Sequence, residues 1–122
     1  MAKRAVWNKA IDKGTAATTA VVKTDRLENL MLVVDSTGDA VDSAFTMTVY
    51  SSQDVGGVVK TAVGIQPVLT GTRDADGAIA FDATSTTAAY HIPGVHPYVW
   101  IAISGVTDDI LITIWVGGQE DC

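Results

Sequence analysis

From Thr19 onward, apolar and polar residues alternate with a period of two. These runs recur about every ten residues, each closed by Gly, Pro, Asp or Ser. The pattern is clearest near the C-terminus. Val99, Ile101 and Ile103 share one face, and Ile110, Ile112, Ile114 and Val116 share another. Phe45, Met47 and Val49 alternate in the same way with Thr46, Thr48 and Tyr50. A chain patterned like this folds into stacked strands rather than helices, because only a pleated strand puts every second residue on one side. Further strands are predicted at Thr19–Lys23, Leu27–Val34, Val58–Val63, Ile65–Leu69, Ala78–Phe81 and Thr84–His91. Pro67 marks its segment as an edge strand or bulge. Turns are predicted at Asp35–Asp39, Gly56-Gly57, Asp74–Gly77 and Pro93-Gly94. The expected fold is all-β: a single antiparallel, jelly-roll-like β-sandwich of about eight strands. Leu32, Val34, Phe45, Val49, Ile101, Ile103, Ile112 and Ile114 are expected in its core. Because only Ser104–Asp109 separate the last two strands, these should pair as a hairpin.

With 122 residues there is room for one such domain. Residues 1–18 lack either period and read as an extended basic N-terminal arm, with 19–122 as the sandwich. The arm should therefore be dispensable for folding. Charge is divided along the same line: residues 1–14 carry +3 and the remainder −9, for a total of −6. Lys3, Arg4, Lys9 and Lys13 are interleaved with the apolar Trp7 and Ile11, which suggests a strip that docks on an acidic protein neighbour. The acidic body argues against a nucleic-acid partner, since phosphate binding needs clustered basic surface. No apolar run reaches the ~20 residues of a membrane-spanning helix, and Met1–Ala20 lacks the apolar stretch of a signal peptide, so no membrane partner is expected and assembly in the cytoplasm is.

Catalytic motifs are missing. No nucleophile elbow, phosphate loop, dinucleotide fingerprint or zinc-protease motif occurs. His91 and His96 straddle a proline turn without further zinc ligands. Asp35, Asp39 and Asp42, and separately Asp74 and Asp76, fall short of the oxygen set that calcium needs and suit turn residues. Cys122 is the single cysteine, so no internal disulfide exists. The expectation is no enzyme, metal or cofactor. Tyr98, Trp100 and Trp115, with Leu111, fall on strand faces that a lone sandwich would turn to water. Either loops cover them or they contact another subunit.

Tyr90–Thr107 (YHIPGVHPYVWIAISGVT), followed by Ile110–Val116 (ILITIWV), resembles the closing strands of small β-sandwich head proteins of tailed bacteriophages. Leu30–Val34 and Phe45–Asp54 fit the same pattern, which covers roughly residues 27–117 and excludes the arm. The resemblance implies a capsid decoration (cement) protein on the virion surface. Such a protein would bind the major capsid protein and neighbouring copies of itself, often as a trimer. A tail or head–tail connector subunit shares the fold and is the alternative. A carbohydrate-binding sandwich using Tyr98, Trp100 and Trp115 as a stacking platform is a third, weakened by the mid-strand position of these residues beside Ala102 and Thr113.

If neither metal nor disulfide supports the fold, EDTA and reductant should leave the melting temperature unchanged. A calorimetric scan with and without each checks this, and a drop of many degrees with EDTA would point to a bound cation.

Overall fold

The computed structural model describes residues 2–38, 44–69, 78–81, 86–106 and 110–121. Among the described residues there are ten strands: β1 (Lys3–Gly14), β2 (Thr18–Lys23), β3 (Glu28–Gly38), β4 (Phe45–Ser52), β5 (Lys60–Ala62), β6 (Gln66–Leu69), β7 (Ala78–Phe81), β8 (Thr86–His91), β9 (Tyr98–Ser104) and β10 (Ile110–Asp121). They form two antiparallel sheets. The first runs β1-β10-β3-β8-β6; the second runs β2-β9-β4-β5, with β7 also paired to β4. The pairs β1/β10, β2/β9, β3/β8 and β4/β7 are those of one long hairpin. Rolling that ribbon up adds the contacts β10/β3 and β9/β4 and alternates the strands between sheets, which is a jelly roll.

The core lies where the alternation places it. Leu30, Leu32 and Val34 of β3 enter it from the first sheet, and Phe45, Met47 and Val49 of β4 from the second. Val99, Ile101 and Ile103 of β9 enter from the second sheet and Ile110, Ile112, Ile114 and Val116 of β10 from the first, and all are buried. Phe45 and Phe81 stack with ring centroids 4.5 Å apart. β-branched side chains suit these strands because their restricted rotamers pack well on a pleated surface.

Four expectations are corrected. β9 and β10 do not form a hairpin: each sits inside its own sheet, β9 between β2 and β4 and β10 between β1 and β3. Neither keeps a free edge for the other, so their connection crosses between sheets. No turn forms over Asp35–Gly38: β3 stays extended there, with Asp35, Ser36 and Thr37 paired to β10, and Asp39 lies outside the described residues. The strand expected at Val58–Val63 is paired only over Lys60–Ala62. Finally, the sandwich does not begin at Thr19.

Lys3–Gly14 is a full edge strand, paired with β10 from Lys3↔Asp121 to Gly14↔Ile112. The physical reason lies in β10, which is twelve residues long. With β3 on one side only, it would leave a row of backbone N–H and C=O groups unpaired on the other. β1 supplies their partners. Bulges between Lys9 and Ile11 and between Ile11 and Gly14 bring Ile11 inward, where it is buried, and Val6 and Ala10 pack beside it. Pro67, by contrast, sits where expected, on edge strand β6 beside a bulge. The turn predicted at Asp74–Gly77 lies outside the described residues.

Replacing Ile112, which is 1% exposed, by Ala should cost roughly 2–5 kcal/mol in denaturant unfolding. Deleting residues 2–14 should lower the melting temperature markedly and promote aggregation through the bared edge of β10. An unchanged melting temperature for the deletion would mean that β1 contributes nothing to the fold.

Candidate functional site

Of the basic residues expected to reach for a neighbour, Lys3, Arg4 and Lys9 lie against the chain's own carboxylates. Lys3 bonds to Asp121 at 2.7 Å and to Glu28 at 3.1 Å; Arg4 reaches Glu120 at 3.2 Å. The Asp121 hydrogen bond, then that of Glu28, raises the Lys3 pKa above its ordinary value. These pairs are exposed, so each adds little stability. That small contribution is present below the ordinary lysine pKa and fades as pH rises through the raised folded value. The pairs lie where the antiparallel ladder sets Lys3 opposite Asp121 and Arg4 opposite Glu120. Lys9 lies 3.7 Å from Asp12 and 5.6 Å over the Trp115 ring. Lys13 adopts a positive φ of 52° and donates its backbone N–H to Thr113 Oγ1. Ile11 is core, not contact surface.

The apolar outer surface of the first sheet centres on Trp7, Trp115 and Val33. In register, Lys9 pairs with Trp115, Trp115 with Val33, and Val33 with Ala89. Trp7 lies opposite Gly117, and a Cβ on Gly117 would come within 2.5 Å of the indole and of the Val6 carbonyl oxygen. A glycine is therefore needed for the ring to lie down on β10. The result is an open trough lined by Trp7, Val33 and Trp115, with Trp7 still 47% exposed. Leu111, at 44%, extends the apolar face along β10. The sequence showed Trp7 and Trp115 as candidates but not their adjacency, which arises only because β1 pairs with β10.

Tyr98 and Trp100 lie on the outer face of the second sheet, on the opposite side of the molecule. No single platform joins Trp100 and Trp115, which removes the geometry the sugar-stacking alternative needs. Trp100 is covered by its own loop: a Cβ on Gly57, whose φ is +68°, would sit 2.8 Å from the ring, and Lys60 Nζ lies 5.7 Å from its centroid and 5.4 Å from that of Tyr50. Asp54 organises this loop. Its carboxylate accepts the backbone N–H groups of Val58 and Val59 at 3.1 Å each, and its carbonyl accepts that of Gly57. Those bonds, Val59 first, hold its pKa below the ordinary carboxylate value. Asp54, Tyr50 and Lys60 escaped the sequence-based selection, although an Asp followed by two glycines marks such a turn.

His96 joins the neighbouring loops. The Pro93 carbonyl, 2.7 Å from Nε2, can only accept, so Nε2 carries a proton, and Nδ1 shares a hydrogen bond of 2.7 Å with the Ser51 hydroxyl. Thr24 Oγ1 donates to the His96 carbonyl at 2.8 Å. Among the described residues no three His, Cys, Asp or Glu side chains gather closely enough to hold a metal. Asp39, Asp42, Asp74, Asp76 and Cys122 lie outside the described residues.

No family model matches the chain, and no curated protein matches it by sequence. Solved structures do share its fold. The SPBc2 prophage-derived protein YomS superposes with a TM-score of 0.62 at 15% identity, over 97% of this chain and 96% of that one. The PBSX exported protein XepA gives 0.66 at 13% identity over 98% of this chain, which spans only 39% of XepA. A chain from the empty head of turnip yellow mosaic virus gives 0.53 at 14% identity, over 97% and 77% of the two chains. At these identities the likeness is one of fold.

Acid should loosen the Asp54 loop before it unfolds the sandwich. With a depressed folded pKa, the carboxylate's contribution is complete above about 3.9 and is lost as pH falls through the folded value. Amide exchange of Val58 and Val59 should accelerate there relative to core amides, and Asp54→Ala should reproduce the effect at neutral pH. Unchanged protection in that variant would assign the loop's order to Gly57 and Trp100 instead.

Proposed function

We propose that this chain is a virion structural protein without catalytic function, a decoration subunit that docks on a shell of major capsid protein through the outer face of its first sheet. The observation that carries this is the trough of Trp7, Val33 and Trp115 on a rigid, doubly paired strand. Indoles exposed beside one another on a flat sheet are favoured anchors for a protein partner, because they bury much area for little lost rotamer freedom. Jelly rolls recur among virus shell proteins. The fold shared with a prophage-derived protein and with a virus head chain supports the same reading, as analogy of fold. So does the arrangement of strands and turns over residues 27–117 that resembles phage head proteins.

The basic residues then take a different part from that expected of a free arm. Lys3 and Arg4 are spent on Asp121 and Glu120, which leaves Lys9 at the rim of the trough as the nearest cation. Docking therefore rests on apolar burial, with Lys9 adding a modest electrostatic contribution to encounter. With Lys3 and Arg4 paired, less of the strip's positive charge is free for phosphates.

Mixing the protein with undecorated particles tests this. Trp7→Ala and Trp115→Ala should each weaken binding by roughly tenfold or more while the melting temperature stays within a few degrees. Raising salt should change affinity only slightly. Wild-type affinity in both variants would overturn the trough as the dock. Mass spectrometry of purified virions separates the roles: hundreds of copies mean decoration, and a dozen or fewer mean a tail or connector subunit.

A further inference from the structure

Sheet edges expose unpaired backbone and are usually guarded by lysines, prolines, bulges or neighbouring elements. β1 and β6 bound the first sheet; the second is bounded by β2 on one side and, on the other, by β5 and β7, which both pair with β4. β1 carries Lys3, Lys9, Lys13 and two bulges. β6 has Pro67 and a bulge. β2 ends in Lys23 and lies beside β1 at the corner of the sandwich. β5 differs. It contains neither proline nor bulge, and its one lysine is turned away, lying over Tyr50 and Trp100 with Nζ donating to the Gly57 carbonyl at 2.9 Å. Lys60, Thr61 and Ala62 are all exposed, as are Val58 at 86% and Val59 at 59%. The stretch Val58–Val63 has the composition of a six-residue strand, yet only its middle is paired.

The backbone settles which groups point outward. Val59 and Val63 bond inward to Gln53 and Val49, so with strand alternation Thr61 also faces β4, opposite Ser51. Lys60 and Ala62 therefore direct their N–H and C=O groups away from the sheet, and among the described residues no strand receives them.

We propose that β5 pairs antiparallel with β5 of a second copy of this chain, about a two-fold axis at Thr61, joining the two second sheets into one. The edge is complementary to itself. In this register Thr61 faces Thr61, Lys60 faces Ala62 and Val59 faces Val63 of the second copy. Thr pairs and branched apolar pairs are favourable cross-strand neighbours, and no two like charges meet. Residues 55–69 contain no Asp or Glu, so the edges approach without the repulsion expected of two chains of net charge −6. Lys60 is already held against aromatic rings, so pairing does not have to displace it. An isologous edge pair closes at two copies, giving a dimer in place of the trimer suggested by the sequence. This contact lies on the sheet opposite the proposed dock and is independent of it.

Sedimentation of the full chain at micromolar to tens of micromolar concentration provides the first test. The wild type should be dimeric. Ala62→Lys places like charges opposite Lys60 twice per dimer and should raise the dissociation constant about tenfold. Ala62→Glu should not weaken the pair. Circular dichroism should show both variants folded, since Ala62 is exposed. The register is tested by Thr61→Cys combined with Cys122→Ser. Facing residues of a non-hydrogen-bonded antiparallel pair have Cα atoms about 4.5 Å apart, within disulfide range. Mild oxidation should cross-link this variant faster than Val68→Cys with Cys122→Ser, whose thiol sits on the Pro67 edge. A wild type that stays monomeric, equal cross-linking by the two cysteine variants, or equal affinities for the two Ala62 variants would each overturn the proposal.

Discussion

The pairing of β10 on both of its edges organises the molecule. Its inner face is an unbroken row of branched aliphatic residues, Ile110, Ile112, Ile114 and Val116, which become buried only when the strand lies within a sheet. Such a strand needs hydrogen-bonding partners on both sides, and β3 satisfies one. The other is satisfied by the first residues of the chain, which would otherwise have little reason to be ordered. Joining Lys3–Gly14 to Ile112–Asp121 closes the longest loop in the protein and places its two ends side by side.

This closure redistributes charge and aromatic surface together. The positive N-terminal segment meets Glu120 and Asp121 at the far end of the chain, so a separation of charge along the sequence becomes local pairing in space. The same register sets Trp7 against the backbone of Gly117, one cross-strand step from Trp115. Two tryptophans more than a hundred positions apart thereby become neighbours on one outer face.

The two outer faces reach different ends. On the second sheet, the loop ordered by Asp54 folds back so that Gly57 and Lys60 lie against Trp100. A polar, glycine-containing turn thus covers an aromatic that the strand pattern alone would leave exposed. On the first sheet, Lys9 lies over Trp115 but no loop among the described residues covers the trough of Trp7, Val33 and Trp115, which is open to a partner. Of the two fates the sequence allowed for its outward aromatics, cover by a loop or contact with another subunit, the first holds for Trp100. The second is the basis of the function proposed for Trp115.

Period-two alternation was enough to determine which residues are inside, because the pleat assigns each side chain a face whatever strand lies next to it. All eight residues expected in the core from Leu32 to Ile114 are buried, and Pro67 occupies an edge. The same alternation carries no information about which strand pairs with which. It could not distinguish a six-residue connection within one sheet from one that crosses between sheets, so β9 and β10 looked like a hairpin. Nor could it show residues 3–14 as a strand, since a bulged edge strand with one side open to water lacks a clean period. The tertiary structure decided those pairings, and with them the positions of Trp7, Trp115 and the unguarded edge of β5. Pairing is chosen by the simultaneous satisfaction of backbone groups and two apolar sheet faces, a condition that no local stretch of sequence contains.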